Sequence, residues 1–312
     1  MKLILLIINY SLLILLASCN SKAYLFTSFK EPANEGLRML YSKDGYHWKR
    51  VDSVLLKPMI GKDKIMRDPS MIQSPDGTFH LVWTTEWKGG NGFGTASSKD
   101  LINWTEQRYI PVMQYEPTVV NVWAPELFYD DQMKQYIIIW ASCIPGRFER
   151  GIEEDSNNHR MYYVTTKDLP AGQAGFIAFS ETKLFLDPKF SVIDAVIVKR
   201  ATKDYVLVLK DNTRPERNIK VAFADNPFGP WKNISAPFTE KFTEGPAVLK
   251  VKDGWLIYYD VYQNKKYGAS FTKDFKTFVK ADSLITVPDG HKHGTILTVN
   301  KKYLRQLLKK MN

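Results

Sequence analysis

Five stretches decide the fold: Asp68–Glu86 (DPSMIQSPDGTFHLVWTTE), Ala124–Ser142 (APELFYDDQMKQYIIIWAS), Ile193–Asp211 (IDAVIVKRATKDYVLVLKD), Glu244–Tyr262 (EGPAVLKVKDGWLIYYDVY) and His293–Val299 (HGTILTV). Each of the first four is a short strand, a turn and a more apolar strand. The β-branched and aromatic content, with Asp-Gly at two of the turns, marks them as β-hairpins. The fifth stops after one strand.

A second series runs out of phase with the first. It is a small or hydroxyl residue followed by Lys-Asp, often with an aromatic three or four residues later. The clear copies are Ser42-Lys43-Asp44-Gly45-Tyr46-His47-Trp48 and Ser98-Lys99-Asp100-Leu101-Ile102-Asn103-Trp104. Weaker copies begin at Thr166 and Thr272, and a diverged one spans Ala224–Trp231. Measured on the Asp, the spacings are 56, 68, 57 and 49. Each copy reads as a tight turn closing on an aromatic that packs beneath it.

Two interleaved series, repeating five times and almost all strand, predict an all-β five-bladed β-propeller with four strands per blade. The truncated last copy leaves a blade to be completed by residues 23–51 (blade closure by N- and C-terminal strands). The only helical pattern is short and basic, over Lys302–Lys310.

The chain has 312 residues, 44% hydrophobic and 13% aromatic, which excludes disordered, collagenous and coiled-coil classes. Its 43 Lys and Arg exceed 33 Asp and Glu, a net charge of +10. The lysines are spread over turn tags and the C-terminal segment, with no compact basic-aromatic motif, so no nucleic-acid partner is expected. Residues 1–18 read as a secretory leader: one Lys, a long apolar run, then small residues. Leu16-Ala17-Ser18-Cys19 is similar to a bacterial lipobox. It implies lipidation of Cys19 and a mature lipoprotein of residues 19–312, periplasmic or at the outer membrane or cell surface. The membrane would then be met only through the lipid. Cys143 is the only other cysteine, which leaves no internal disulfide after lipidation; it reads as a buried small hydrophobe. No Cys/His pattern points to a metal.

The hairpin copies open on Asp68, Glu126, Asp194, Glu244 and His293, at spacings of 58, 68, 50 and 49. In a propeller the start of each inner strand faces one mouth of the central channel, so these side chains are expected to converge in register. Crowded acids raise one another's pKa and mark functional sites. Paired carboxylates at a sugar-sized cavity point to glycoside hydrolysis.

Arg67-Asp68-Pro69-Ser70, Trp123-Ala124-Pro125-Glu126, Val192-Ile193-Asp194 and Glu244-Gly245-Pro246 together resemble the motif series of glycoside hydrolase family 43, over residues 23–300. The resemblance implies inverting hydrolysis, with Asp68 as general base, Asp194 as pKa modulator and Glu244 as general acid. It further implies that His293 lies near the axis, beside an ordered water or a structural calcium, with no cofactor required. Two positions depart from the family: Glu126 stands where Asp is usual, and Ala195 follows Asp194 where Pro is usual. Arg67-Asp68-Pro69 is also similar to invertase-like enzymes, but the nucleophile motif of those enzymes does not occur in residues 23–61.

Expected sugar contacts are Arg67, Trp87, Trp123, Glu126, Lys210 and His293, with the indoles as stacking faces and Arg214 and Arg217 at the rim. Residues 145–160 form the longest polar insertion, placed to narrow the mouth. The family suggests a monomeric enzyme that removes terminal α-L-arabinofuranosyl or related pentose units from oligo- or polysaccharides. β-Xylosidase, galactofuranosidase and a non-catalytic sugar-binding lipoprotein are the alternatives.

Overall fold

The computed structural model describes residues 22–170 and 173–311; the leader and Cys19 lie outside the described residues. Five sheets form a ring, the five-bladed propeller that the repeats predict. The first blade runs β19 (Ile296–Asn300), β1 (Lys22–Ser28), β2 (Leu37–Ser42), β3 (Lys49–Leu56). The second contains β4 (Arg67–Gln73), β5 (Phe79–Thr84), β6 (Phe93–Ser98) and β7 (Arg108–Ile110). The third contains β8 (Trp123–Asp130), β9 (Gln135–Cys143), β10 (His159–Thr166) and β11 (Lys183–Leu186). The fourth has β12 (Val192–Ala201), β13 (Asp204–Asp211) and β14 (Asn218–Ala224). The fifth has β15 (Thr243–Val251), β16 (Gly254–Val261), β17 (Lys266–Thr272) and β18 (Phe278–Lys280).

Both chain ends build the first blade. The inner strand β19 comes from the C-terminal end and pairs antiparallel with β1, Phe26 opposite Ile296 and Tyr24 opposite Thr298. The closing helix α1 (Lys301–Met311) then packs Tyr303, Leu304 and Leu307 into the core between the first two blades. Among the described residues no helix is long and apolar enough to cross a membrane.

The fourth blade departs from the expected four strands. Its outer strand is reduced to one bridge, Phe223 to Lys232. The segment that follows β14 carries Pro227, Pro230 and Pro237. Proline cannot donate to a ladder, which is why no regular edge strand forms.

The Lys-Asp tags are side-chain-built turns. Ser98 Oγ accepts from the amides of Asp100 and Leu101, and Asp100 Oδ1 accepts from those of Ile102 and Asn103. The Ser42 and Thr272 copies repeat this pattern. The residue after the Asp is left-handed in all three: Gly45 (φ 82°), Leu101 (66°) and Phe275 (59°). Leu101 and Phe275 are thereby driven into the core, both fully buried. The Thr166 copy is different. Asp168 instead accepts from the Tyr136 hydroxyl (3.0 Å) and pairs with His80 (2.6 Å), tying the second blade to the third.

The aromatic residues mostly fill the seams between blades, as where Phe79 meets Tyr303 edge-on at 4.8 Å. The buried Cys143 has its thiol against the Asp155 carbonyl, and burial pushes its pKa up to about 11. It is an inert packing residue.

Candidate active site

Four of the inner strands open on the same irregularity. The ladder shifts register between Arg67 and Ser70, Trp123 and Glu126, Ile193 and Val196, and Glu244 and Ala247. The second residue of each quartet is left-handed: Asp68 (φ 49°), Ala124 (47°), Asp194 (51°) and Gly245 (59°). Asp tolerates this conformation better than most residues, and a bulge of this kind re-aims the side chain that carries it.

The bulges correct the register expected from the sequence. The four acids do not begin their strands at equivalent places. Asp68 and Asp194 take the second place of the quartet, Glu244 the first and Glu126 the fourth. Asp68, Asp194 and Glu244 still meet in one cavity of about 270 Å³, whose wall also holds Arg67, Lys210 and His293. Glu126 does not line it. It is buried beneath, accepting from the Thr295 hydroxyl at 3.0 Å. Burial pushes its carboxyl up to about 7.

His293 supplies the positive charge at the axis. Its Nδ1 lies 3.3 Å from Asp68 Oδ1. Burial disfavours the imidazolium, but the bond to Asp68 and the charges of Asp194, Asp68 and Glu126 outweigh it and raise the pKa to about 9. Gly245 permits this approach, because a Cβ there would come within 2.6 Å of the imidazole. These side chains do not form a calcium cage: among the described residues no group of three or more His, Cys, Asp or Glu is placed to hold a metal ion.

The three pocket acids are driven apart in proton affinity. Burial alone would raise Asp68, but the His293 cation, Arg67 and the Thr84 hydroxyl (3.0 Å) hold its carboxyl below the ordinary value. Burial, with the Glu244 and Asp68 charges, pushes Asp194 above the ordinary value, against His293 and Lys210. Its Oδ2 accepts the Gly245 amide at 3.1 Å. Burial would also raise Glu244, but Lys210 donates to it at 2.8 Å and brings it below the ordinary value. Lys210 is buried, and its ammonium also lies 5.2 Å from the Tyr262 ring centre.

Trp87 and Trp123 both line the cavity, but not as free stacking faces. The two indoles stack on each other at 4.8 Å, and Trp123 stacks on His159 at 5.0 Å. The Arg67 guanidinium lies over Trp87 at 4.6 Å while pairing with Glu31 at 2.8 Å. The row stiffens this wall of the cavity, and Trp87 keeps 48% of its surface exposed.

The insertion at residues 145–160 reaches the site through Asn157, which accepts from Asn212 Nδ2 at 3.0 Å. Buried Glu153 anchors the insertion by accepting the Arg214 amide at 2.6 Å. Arg217 lines the cavity and Arg214 does not. Sequence reasoning missed Tyr262, Asn157 and Thr84. Thr84 is legible only in hindsight, as the residue ending β5 directly across the ladder from Arg67.

The family model of a glycosyl hydrolase 43-related domain, described as "Probable glycosyl hydrolase domain", matches residues 20–304. The chain belongs to this family. Among solved structures, this glycosyl hydrolase is similar to an α-L-arabinofuranosidase from Clostridium thermocellum (15% identity, 87% of this chain and 92% of that one, TM-score 0.57). It is also similar to an α-L-arabinofuranosidase from Lactobacillus brevis (20%, 70% and 72%, TM-score 0.53). A third similar structure is an endo-1,4-β-xylanase from Bacteroides thetaiotaomicron (13%, 88% and 94%, TM-score 0.54). At these identities the likeness shows the shared fold. No curated protein matches the chain.

The Glu126 environment of this glycosyl hydrolase makes stability depend on pH. The folded carboxyl keeps its proton up to about 7, whereas the ordinary value is 4.5. Between those values the unfolded chain has already released the proton, so the contribution falls as pH rises and is lost above about 7. Glu126→Gln is therefore expected to match the parent near pH 5 and exceed its melting temperature near pH 8. Thermal unfolding across that range checks this, and a variant less stable at pH 8 contradicts it.

Proposed function

We propose that this glycosyl hydrolase cleaves with inversion, releasing terminal α-L-arabinofuranosyl or related pentose units. One observation carries the reading: three acids of unequal proton affinity share one sugar-sized cavity, with Asp68 held below its ordinary pKa by the His293 cation. An ionised Asp68 suits a general base that takes a proton from the attacking water. Glu244, on the neighbouring bulge and one-third exposed, suits the acid that protonates the leaving oxygen.

In the free protein Lys210 keeps Glu244 ionised, and the raised group is its neighbour Asp194. An acid role for Glu244 therefore needs a bound glycoside to weaken the Lys210 contact. The Asp194 charge in the same cavity then favours protonation of Glu244. This gives Asp194 the modulating role. Arg67 and Lys210 remain wall residues that meet sugar hydroxyls, while Glu126 acts from below the floor.

The sugar choice rests on the family resemblance and on the two arabinofuranosidases of like fold. β-Xylosides and galactofuranosides are the nearest alternatives. A panel of 4-nitrophenyl glycosides of the three sugars distinguishes them, with arabinofuranoside expected to turn over fastest. On glycosides with unactivated leaving groups, Glu244→Gln and Asp68→Asn are each expected to lower kcat by at least about 100-fold. Unchanged turnover by either variant contradicts its role.

The same reading places the protein on a membrane surface through lipid at Cys19, supported by Leu16-Ala17-Ser18-Cys19. Labelled palmitate should be incorporated by the full chain and lost in Cys19→Ser. Equal labelling of both contradicts the anchor.

A further inference from the structure

Three of the cations on the cavity wall have an acid partner. Arg67 pairs with Glu31 at 2.8 Å, Lys210 with Glu244 at 2.8 Å and His293 with Asp68 at 3.3 Å. The fourth, Arg217, has none among the described residues. Its Nε is buried with no hydrogen-bond partner, although the residue lines the cavity. The acids on adjoining segments are already engaged: Glu153 and Glu154 by Arg214, Asp211 by Lys220, and Glu240 by Lys280. Glu216 accepts from the Asn218 side chain at 3.0 Å.

The position of Arg217 is held firmly. Its backbone is left-handed (φ 48°), a conformation that strains a non-glycine residue. Its carbonyl accepts the amides of Phe242 at 2.8 Å and Thr243 at 3.2 Å, immediately before Glu244. The turn therefore holds the Arg217 backbone beside the strand that opens on Glu244, and the two side chains line the same cavity. With Glu244 read as the acid, that strand carries the group that protonates the leaving oxygen. A guanidinium kept there without a counter-ion, one nitrogen already out of water, is a set of donors lacking an acceptor. Its planar fork matches a carboxylate in paired hydrogen bonds, a fit that a neutral hydroxyl does not reproduce.

We propose that Arg217 binds a carboxylate on the leaving-group side of the scissile bond, so that the preferred substrates carry a uronic acid beside the linkage that is cut. The choice of side rests on Glu244 as the acid. The carboxylate contact itself rests on Arg217 alone.

The test uses an arabinofuranosyl oligosaccharide with glucuronic acid next to the branch, and the same compound after carboxyl reduction. Binding is followed by calorimetry and turnover by product release, on the parent protein, Arg217→Lys and Arg217→Gln. The parent should favour the acidic compound by about 10- to 100-fold, as expected for hydrogen bonds to a charged group. Arg217→Lys should keep part of that ratio, and Arg217→Gln should bring it to about one. Added salt should shrink the ratio in the parent. Equal binding of the two compounds by the parent overturns the proposal, as does an unchanged ratio in Arg217→Gln. A preference in binding without any turnover would sustain Arg217 and defeat the hydrolytic assignment of Glu244. Turnover of aryl arabinofuranosides with no preference between the two compounds would defeat Arg217 alone.

Discussion

His293 Nδ1 lies 3.3 Å from Asp68 Oδ1, and this contact couples ring closure to chemistry. His293 lies three residues before β19, the strand that the C-terminal end contributes to the first blade, and Asp68 sits on β4 of the second. Closing the ring brings the cation to the acids. Thr27 on β1 strengthens the same seam, bonding the Pro69 carbonyl beside Asp68 and accepting the Thr295 amide. This seam rests on hydrogen bonds and packing.

From that one charge the unequal acids follow. Asp68 touches the imidazolium and is held ionised, while Glu126, packed beneath, moves the other way because its burial outweighs the Ser70 and Thr295 hydroxyls and the more distant His293 charge. Asp194 shares its surroundings with Glu244; burial moves the first above its ordinary value, and the Lys210 contact brings the second below it. A cavity lined with acids therefore need not be strongly negative. Its wall carries four basic side chains, and one of them, Arg217, has no acid partner among the described residues.

Much of this was legible in the sequence. Repeat spacing carried the blade count, and the truncated fifth hairpin carried the closure. Asp68, Asp194 and Glu244 were legible because motif and repeat agreed on them. The register of the acids was not legible, because a bulge inserts a residue without changing the apparent period. Counting from strand starts put Glu126 beside Asp68, whereas the ladder places it two residues deeper along its strand. Composition reveals flat faces but not that Trp87, Trp123, His159 and Arg67 would stack in one row along the cavity wall. The Lys210–Glu244 pair joins β13 to β15, and no local pattern announces a contact between those strands.

The central claim is that the axis holds a permanent cation at working pH. Titrating the His293 ring by NMR in the full protein tests this most directly. The account predicts a pKa of about 9, with the ring charged throughout the neutral range. A value at or below the ordinary 6.5 would contradict it, and with it the explanation of why Asp68 stays ionised.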